Sequence, residues 1–125
     1  MIQGYIAQVK EQLDRTTGLY AGQGFQKIDY YADGLATGQS KSFDINVSGG
    51  MQYKFVSVCD SDCGDIDLYV FGADGSLVTS DLQRNDLPEV AFNVSTSTHV
   101  KLTVKMYSCA TSTCVYGIGG YGKSQ

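Results

Sequence analysis

The chain has 125 residues, the usual length of one domain, with 42% apolar and 18% charged residues and a formal net charge of −4. Its nine basic residues are scattered among thirteen acidic ones, which argues against nucleic-acid binding because phosphate contacts need clustered Lys and Arg. No stretch approaches the roughly 18 apolar residues of a membrane-spanning helix, so none is predicted. Residues 1–15 are too polar for a signal peptide, and an exported protein is then expected in its mature form.

An amphipathic helix is predicted at the N-terminus, because apolar residues recur there at steps of three and four. Gly18 is expected to end this helix, and residues 18–24 are expected to form a flexible, Gly-rich connector. The boundaries that follow are 1–24 for the helix with its connector and 25–125 for a β-sandwich domain. The apolar stripe of the helix consists of Ile2, Tyr5, Ile6, Val9 and Leu13.

From about residue 25 the apolar period falls to two, which is typical of strands with one buried and one wet face. The alternation is clearest at 43–47, 90–94 and 100–106. Short polar turn signals separate these segments, and no helical pattern lies between them. The sequence therefore predicts a mainly β domain of seven or eight strands, folded as an antiparallel β-sandwich or jelly roll. The turn signals are Ser48-Gly49-Gly50, Asp74-Gly75 and Asn85-Asp86-Leu87-Pro88.

Four cysteines form two close pairs in the sequence, Cys59 with Cys63 and Cys109 with Cys114. The sequence leaves all three disulfide connectivities open, and the spacing also fits a four-thiolate zinc site. Disulfides are favoured over zinc, because zinc knuckles occur in small modules that lack a hydrophobic core. This chain has enough apolar strand residues to form a hydrophobic core. We therefore expect an extracellular or cell-surface protein, or a periplasmic one.

Four segments between residues 38 and 118 carry a family resemblance. They are Phe43-Asp44-Ile45-Asn46-Val47, Gly49-Gly50-Met51-Gln52-Tyr53, Asp65-Ile66-Asp67-Leu68-Tyr69-Val70 and Asp74-Gly75. Together they resemble the bacterial pre-peptidase C-terminal domain, a secreted jelly-roll module often appended to peptidases. The resemblance implies a jelly roll with a non-catalytic accessory role, and it names no ligand. The cysteines resemble those of a disulfide-bearing branch of such domains, and we expect local pairing, Cys59 with Cys63 and Cys109 with Cys114.

A cluster of aspartates in the middle of the chain is the main candidate for metal binding. Four carboxylates within eight residues offer the hard oxygen donors that calcium prefers. The run lacks the Gly and the Glu of an EF-hand loop, and a plain solvated acidic loop is the alternative. Calcium is therefore an optional ligand, and no cofactor is required. The four residues are Asp60, Asp62, Asp65 and Asp67.

Candidate catalytic groups are few, and no catalytic residue is predicted. His99 is the one histidine, expected on the outward face of a strand and without a nucleophile beside it in the sequence. Asp65 and Asp67 share a strand face, a spacing that suits acid–base chemistry. Aspartates at a strand start, however, often accept hydrogen bonds from loop amides. We therefore expect a protein that is not an enzyme.

Two classes of function remain. The first is a structural subunit that self-assembles into a homo-oligomer, an extracellular filament or a surface layer. The second is an extracellular binding or accessory module, with or without calcium, that engages a protein or a polysaccharide. The apolar stripe of the helix must be covered, either by its own domain or by a neighbouring subunit. The sequence leaves this choice open. We favour the structural subunit, with the stripe of Ile2, Tyr5, Ile6, Val9 and Leu13 as its expected assembly contact.

Overall fold

The computed structural model describes the backbone of residues 2–82 and 88–125, and the side chains of 6–82 and 88–125. Within this part, one helix is followed by eight strands. The helix α1 spans Ile2–Ala21. The strands are β1 (Gln26–Leu35), β2 (Ser40–Val47), β3 (Met51–Cys59), β4 (Cys63–Phe71), β5 (Leu77–Asp81), β6 (Glu89–Val94), β7 (Thr98–Cys109) and β8 (Cys114–Ser124).

The strands form two four-stranded antiparallel sheets, with the orders β1-β8-β3-β6 and β2-β7-β4-β5. Consecutive strands often lie in different sheets, which is the jelly-roll arrangement. Between the sheets lies a core of aliphatic and aromatic side chains. The predicted mainly β sandwich of seven or eight strands, preceded by a helix, is therefore confirmed. No helix in the described part of the chain combines the length and the apolar character that crossing a membrane requires.

Burial along the strands follows the alternation of the sequence. In β7, Val100, Leu102, Val104 and Met106 are buried, whereas the residues between them are more exposed. Strands β6 and β2 show the same alternation between more buried and more exposed residues. The turn between β4 and β5 has Gly75 at a φ of 84°, and the carboxylate of Asp74 accepts hydrogen bonds from the amide and hydroxyl of Ser76. The turn signal at 85–88 lies, except for Pro88, outside the described residues.

The helix ends later than the sequence indicated. Gly18 lies inside α1, and the chain leaves the helix only after Ala21. Gly24, with a φ of 91°, occupies the left-handed position of a Schellman motif, in which the amide of Phe25 donates to the carbonyl of Tyr20 at 3.1 Å. The rings of Tyr20 and Phe25 pack at 6.2 Å between centroids. The expected flexible connector is therefore mostly helix and turn, because a tertiary contact at Tyr20 extends the helix past Gly18.

The helix packs against the outer face of the sheet that contains β1, β8 and β3. Val9 and Leu13 are almost fully buried there, with exposed fractions of 0% and 1%. Gly117 of β8 allows this close approach, because a Cβ at that position would lie only 2.3 Å from Cγ1 of Val9. At the end of the helix the Tyr20 hydroxyl donates to Glu89 of β6 at 2.6 Å. The helix is thus docked in cis on its own sandwich.

Candidate functional site

The two disulfides join cysteines that are close in the sequence, as predicted. Cys59 bonds to Cys63 across the turn between β3 and β4, and Cys109 bonds to Cys114 across the turn between β7 and β8. Both bridges close short turns at one end of the sandwich, where Cys63 also lies opposite Cys109 in the β4–β7 register. The local pairing is confirmed, and with all four thiols oxidised there is no four-thiolate zinc site.

The four aspartates of the candidate calcium site do not converge. Asp60 is buried, and its two carboxylate oxygens accept hydrogen bonds from the amides of Asp62, at 3.0 Å, and Val115, at 2.8 Å. Asp60 therefore anchors the β3–β4 turn to the start of β8. Asp62 is half-exposed in the same turn. Across the described residues, no three His, Cys, Asp or Glu side chains form a group that could hold a metal ion.

Asp65 and Asp67 remain neighbours on the face of β4 that points away from the core. Both side chains are more than nine-tenths buried, and one oxygen of each lacks a hydrogen-bond partner among the described residues. Burial raises the pKa of Asp67, and the negative charge of Asp65 raises it further, against an opposing effect of Lys105. Calcium binding stays a prediction, and Asp65 and Asp67 are the two of the four carboxylates that share one strand face.

The residues of the apolar helix stripe differ in their surroundings. Val9 and Leu13 are covered by the sheet of the same chain, so they are not available to a neighbouring subunit. Ile6 is 38% exposed. The side chains of Ile2 and Tyr5 lie outside the described residues. An assembly contact through the whole stripe is therefore incompatible with the structure, because its central residues already pack in cis.

A cleft on the described surface was not predicted from the sequence. It is a cleft of about 480 Å³ that opens between β1 and β2, the edge strands of the two sheets on one side of the sandwich. Its volume falls within the roughly 300–1,000 Å³ of ligand-binding pockets. The lining is mainly apolar, and the rings of Tyr31 and Phe43 meet across it at 4.7 Å. Apolar side chains in the walls are Ile28, Tyr31, Phe43, Ile45, Phe55 and Ile118.

One wall of the cleft is formed where a glycine of β8 makes room for an aromatic ring of β3. Gly120 pairs with Phe55, whose ring belongs to the core between the sheets. The glycine lines the cleft, and a Cβ there would lie 3.0 Å from Cε1 of Phe55. Opposite Gly120, a bulge in β1 between Lys27 and Asp29 brings Ile28 to the rim. The run of glycines in β8 is a sequence signal for close approach of neighbouring groups to this strand, and it does not by itself indicate the cleft.

The cleft has two lips, which are the free edges of β1 and β2. On the β1 lip, side chains cap backbone amides of the free edge. In β1 the amides of Tyr30 and Gly34 donate to the side chains of the preceding residues, Asp29 and Asp33, each at 2.8 Å. These amides are four residues apart and therefore point to the same side of the strand. Since the other side of β1 pairs with β8, the aspartates satisfy donors on the free edge. Such side-chain caps protect an edge strand from pairing with another chain.

His99 lies on β7 and is exposed, as expected from the sequence. It does not line the cleft. The polar groups at the cleft are carboxylates of Asp29 and Asp44, the amide of Asn46 and the hydroxyl of Tyr31, which donates to Asp33 at 3.1 Å. This arrangement can hold an apolar group and attract positive charge at its rim.

Comparison with solved structures identifies the architecture. The pre-peptidase C-terminal domain of a collagenase from Bacillus anthracis superposes with a TM-score of 0.58 at 14% identity, covering 74% of this chain and 87% of that one.

The fold is that of a pre-peptidase C-terminal-like β-sandwich.

The resemblance that the sequence motifs indicated is thus confirmed at the level of the fold. A periplasmic inhibitor of g-type lysozyme from Aeromonas hydrophila is also similar, with a TM-score of 0.56 at 8% identity over 76% of this chain and 85% of that one. At these identities the comparisons show a shared fold and no more. No protein-family model matches the sequence, and the search of curated proteins finds no relative.

Proposed function

We propose that this protein is a secreted, non-enzymatic binding module that receives an apolar segment of a partner protein in the cleft between β1 and β2. The observation that carries this proposal is the cleft itself, which is open, preformed and lined by aromatic and aliphatic side chains. Apolar cavities with a few polar groups at the rim are the usual form of a binding site.

The chemistry at the cleft supports binding rather than catalysis. Its carboxylates lie at the rim, and Asp29 uses one oxygen to accept a hydrogen bond from its neighbouring amide. The one histidine of the sequence, His99, does not line the cleft. Of the solved structures with this fold, one is a C-terminal domain of a collagenase and another is an inhibitor of lysozyme. A binding role for this chain is in keeping with both.

The disulfides support an exported location. Both pairs of cysteines are oxidised in the structure, and such bonds persist in oxidising compartments such as the extracellular space and the periplasm. Short local bridges stabilise a domain only modestly, so their main effect here is to fix the turns at one end of the sandwich.

An unbiased peptide-display selection against the oxidised protein tests the proposal. Binders should be enriched, and Tyr31→Ala should weaken them because it removes one aromatic wall of the cleft. Tyr107→Ala is the matched control, since Tyr107 is 56% exposed on β7 and does not line the cleft. The proposal fails if no binder is enriched, or if both substitutions affect the binders equally.

A second candidate function is the self-assembling structural subunit, for which we propose a different contact from the helix stripe. The supporting observation is edge strand β5, where Leu77 and Val78 are 56% and 47% exposed. Exposed apolar edge strands favour pairing between chains. The mass of the native particle in solution tests this candidate, and a monomer at micromolar concentration would exclude it.

A further inference from the structure

We propose that the partner of the cleft is an extended peptide that adds as a strand to the free edge of β2 and carries alternating apolar and basic residues. This inference rests on the proposed binding function and names the class of partner. It follows from three features of the two lips: the state of each backbone edge, the direction of the side chains, and the charge at the rim.

The backbone edges favour β2 over β1 as the site of strand addition. On β1, Asp29 and Asp33 already occupy the amides of Tyr30 and Gly34, so a peptide would have to displace two hydrogen bonds. On β2, no side chain caps an amide between residues 40 and 47 in the described structure. The other side of β2 pairs with β7 over its whole length. Its free edge therefore offers unpaired donors and acceptors of the kind that a peptide strand uses.

The side chains of β2 define what an added strand would place in the cleft. Phe43 and Ile45 face the core and line the cleft, whereas Asp44 and Asn46 are exposed. A strand paired with β2 continues the same sheet, so every second of its side chains points towards the cleft. Those side chains should be apolar, because they would contact Phe43, Ile45 and the rings beyond them. The side chains between them would point to the opposite face of the sheet, where Asp44 lies, and would face solvent.

The rim of the cleft is acidic and lacks ion pairs. Asp29 and Asp33 lie on the β1 lip and Asp44 on the β2 lip, and none of them forms an ion pair with a described residue. Two nearby lysines are directed elsewhere: Lys27 lies over the Tyr30 ring at 4.3 Å, and Lys101, opposite Asp44, lies over the Phe71 ring at 5.9 Å. Lys41 is exposed on β2, so the acidic carboxylates of the rim outnumber this one lysine by three to one. With a net charge of −4 for the whole chain, the complementary peptide is basic.

The probe is a synthetic peptide of sequence Lys-Phe-Lys-Val-Lys-Phe-Lys with blocked termini, and binding is measured by calorimetry at low and high salt. One control peptide replaces every Lys by Glu, and a second replaces Val and the Lys after it by Pro, so that a ladder donor is lost whichever alternate set of peptide amides faces β2. We expect the Lys peptide to bind, the Glu peptide to show no measurable binding and the Pro peptide to bind at least tenfold more weakly. On binding, hydrogen exchange should slow at amides of β2 and not at those of β1.

Charge-neutralising variants test the rim. Asp29→Asn keeps the oxygen that caps the Tyr30 amide, and Asp44→Asn keeps the shape of the β2 lip. The double variant should weaken the Lys peptide by roughly 3- to 10-fold at low salt and less at high salt, as expected for exposed charge pairs. Asp14→Asn on the helix is the matched control and should change affinity less than about twofold.

The outcomes separate this inference from the proposed function. If the Pro peptide binds as tightly as the Lys peptide, or if β1 rather than β2 becomes protected, strand addition to β2 is wrong. If the Glu peptide binds equally well, the charge assignment is wrong. A native dimer with β2 protected before any peptide is added would make a second copy the occupant and overturn the inference. In each of these cases binders that depend on Tyr31 would still support the proposed function, whereas their absence would remove both.

Discussion

The docking of the helix on its own sheet can be tested with a single methyl group. Gly117→Ala places a Cβ 2.3 Å from Cγ1 of Val9 and 3.0 Å from Cδ1 of Leu13. Both neighbours are at most 1% exposed, so neither can move away without displacing the helix. Inserting a methyl into a filled core costs roughly 1–3 kcal/mol. For a domain of this size we expect the melting temperature to fall by about 3–5 °C per kcal/mol.

A double-mutant cycle identifies the contact responsible. Val9→Ala removes two methyl carbons and should cost about 2 kcal/mol from lost burial and the remaining cavity. In the protein that carries both substitutions, the methyl group introduced at position 117 lies in the space that the Val9 side chain vacates. The combined cost should therefore be smaller than the sum of the two single costs by about 1–2 kcal/mol, which is typical of side chains in contact. Urea unfolding with the disulfides intact measures all four free energies of unfolding.

Gly18→Ala is the control for the general effect of replacing glycine. Gly18 is exposed within the helix, and a Cβ there would meet no atom within 4 Å. Alanine is the better helix former, so this substitution should stabilise the protein by roughly 0.5–1 kcal/mol. If Gly117→Ala proves as stable as the native protein, or if its cost simply adds to that of Val9→Ala, the cis packing of α1 against β8 is not as described.

Three further predictions concern ionisation, metal and disulfides. Burial raises the pKa of Tyr121 from 10.0 to about 12, so stability should be intact below pH about 10 and fall as the pH rises through about 12, and Tyr121→Phe should flatten this decline in urea unfolding at alkaline pH. Calcium should give a binding heat at millimolar concentration that Asp67→Asn abolishes; no heat, with a melting temperature unaffected by chelation, would make Asp65 and Asp67 structural. Reduction should add four hydrogens to the mass and cost at most about 2–3 kcal/mol per bridge, whereas peptide mapping that joined Cys59 to Cys109 would contradict the pairing.

Local sequence patterns predicted the strands in which burial alternates between the two faces of the sheet. The alternation at 100–106 became β7, with four buried side chains on one face, because a strand with one wet face shows this period in its sequence. The Asp74-Gly75 turn was predictable for a similar reason, since the positive φ of Gly75 is a local requirement. The cysteine pairs could be expected from their closeness in the sequence and the family resemblance.

The end of the helix was not predictable from the same kind of pattern. Gly18 is a reasonable stop signal in isolation, yet the helix continues to Ala21 because Tyr20 is anchored beyond it. Tyr20 contacts Phe25, Tyr121 and Glu89, and two of these partners lie about a hundred and about seventy residues away in sequence. A prediction from neighbouring residues does not include contacts that form only when the sheet is complete.

The sequence by itself determined the class of the fold, the strand faces, the turn at Gly75 and the presence of an apolar helix, because each depends on neighbours within a few positions. Only the tertiary structure decided where that helix docks, how the four aspartates separate, and that a cleft opens between β1 and β2. Each of these depends on the order and register of strands that are far apart in the chain. Gly117 and Gly120 show the difference: three residues apart on one strand, one admits the helix on the outer face, and the other admits the Phe55 ring in the wall of the cleft on the inner face.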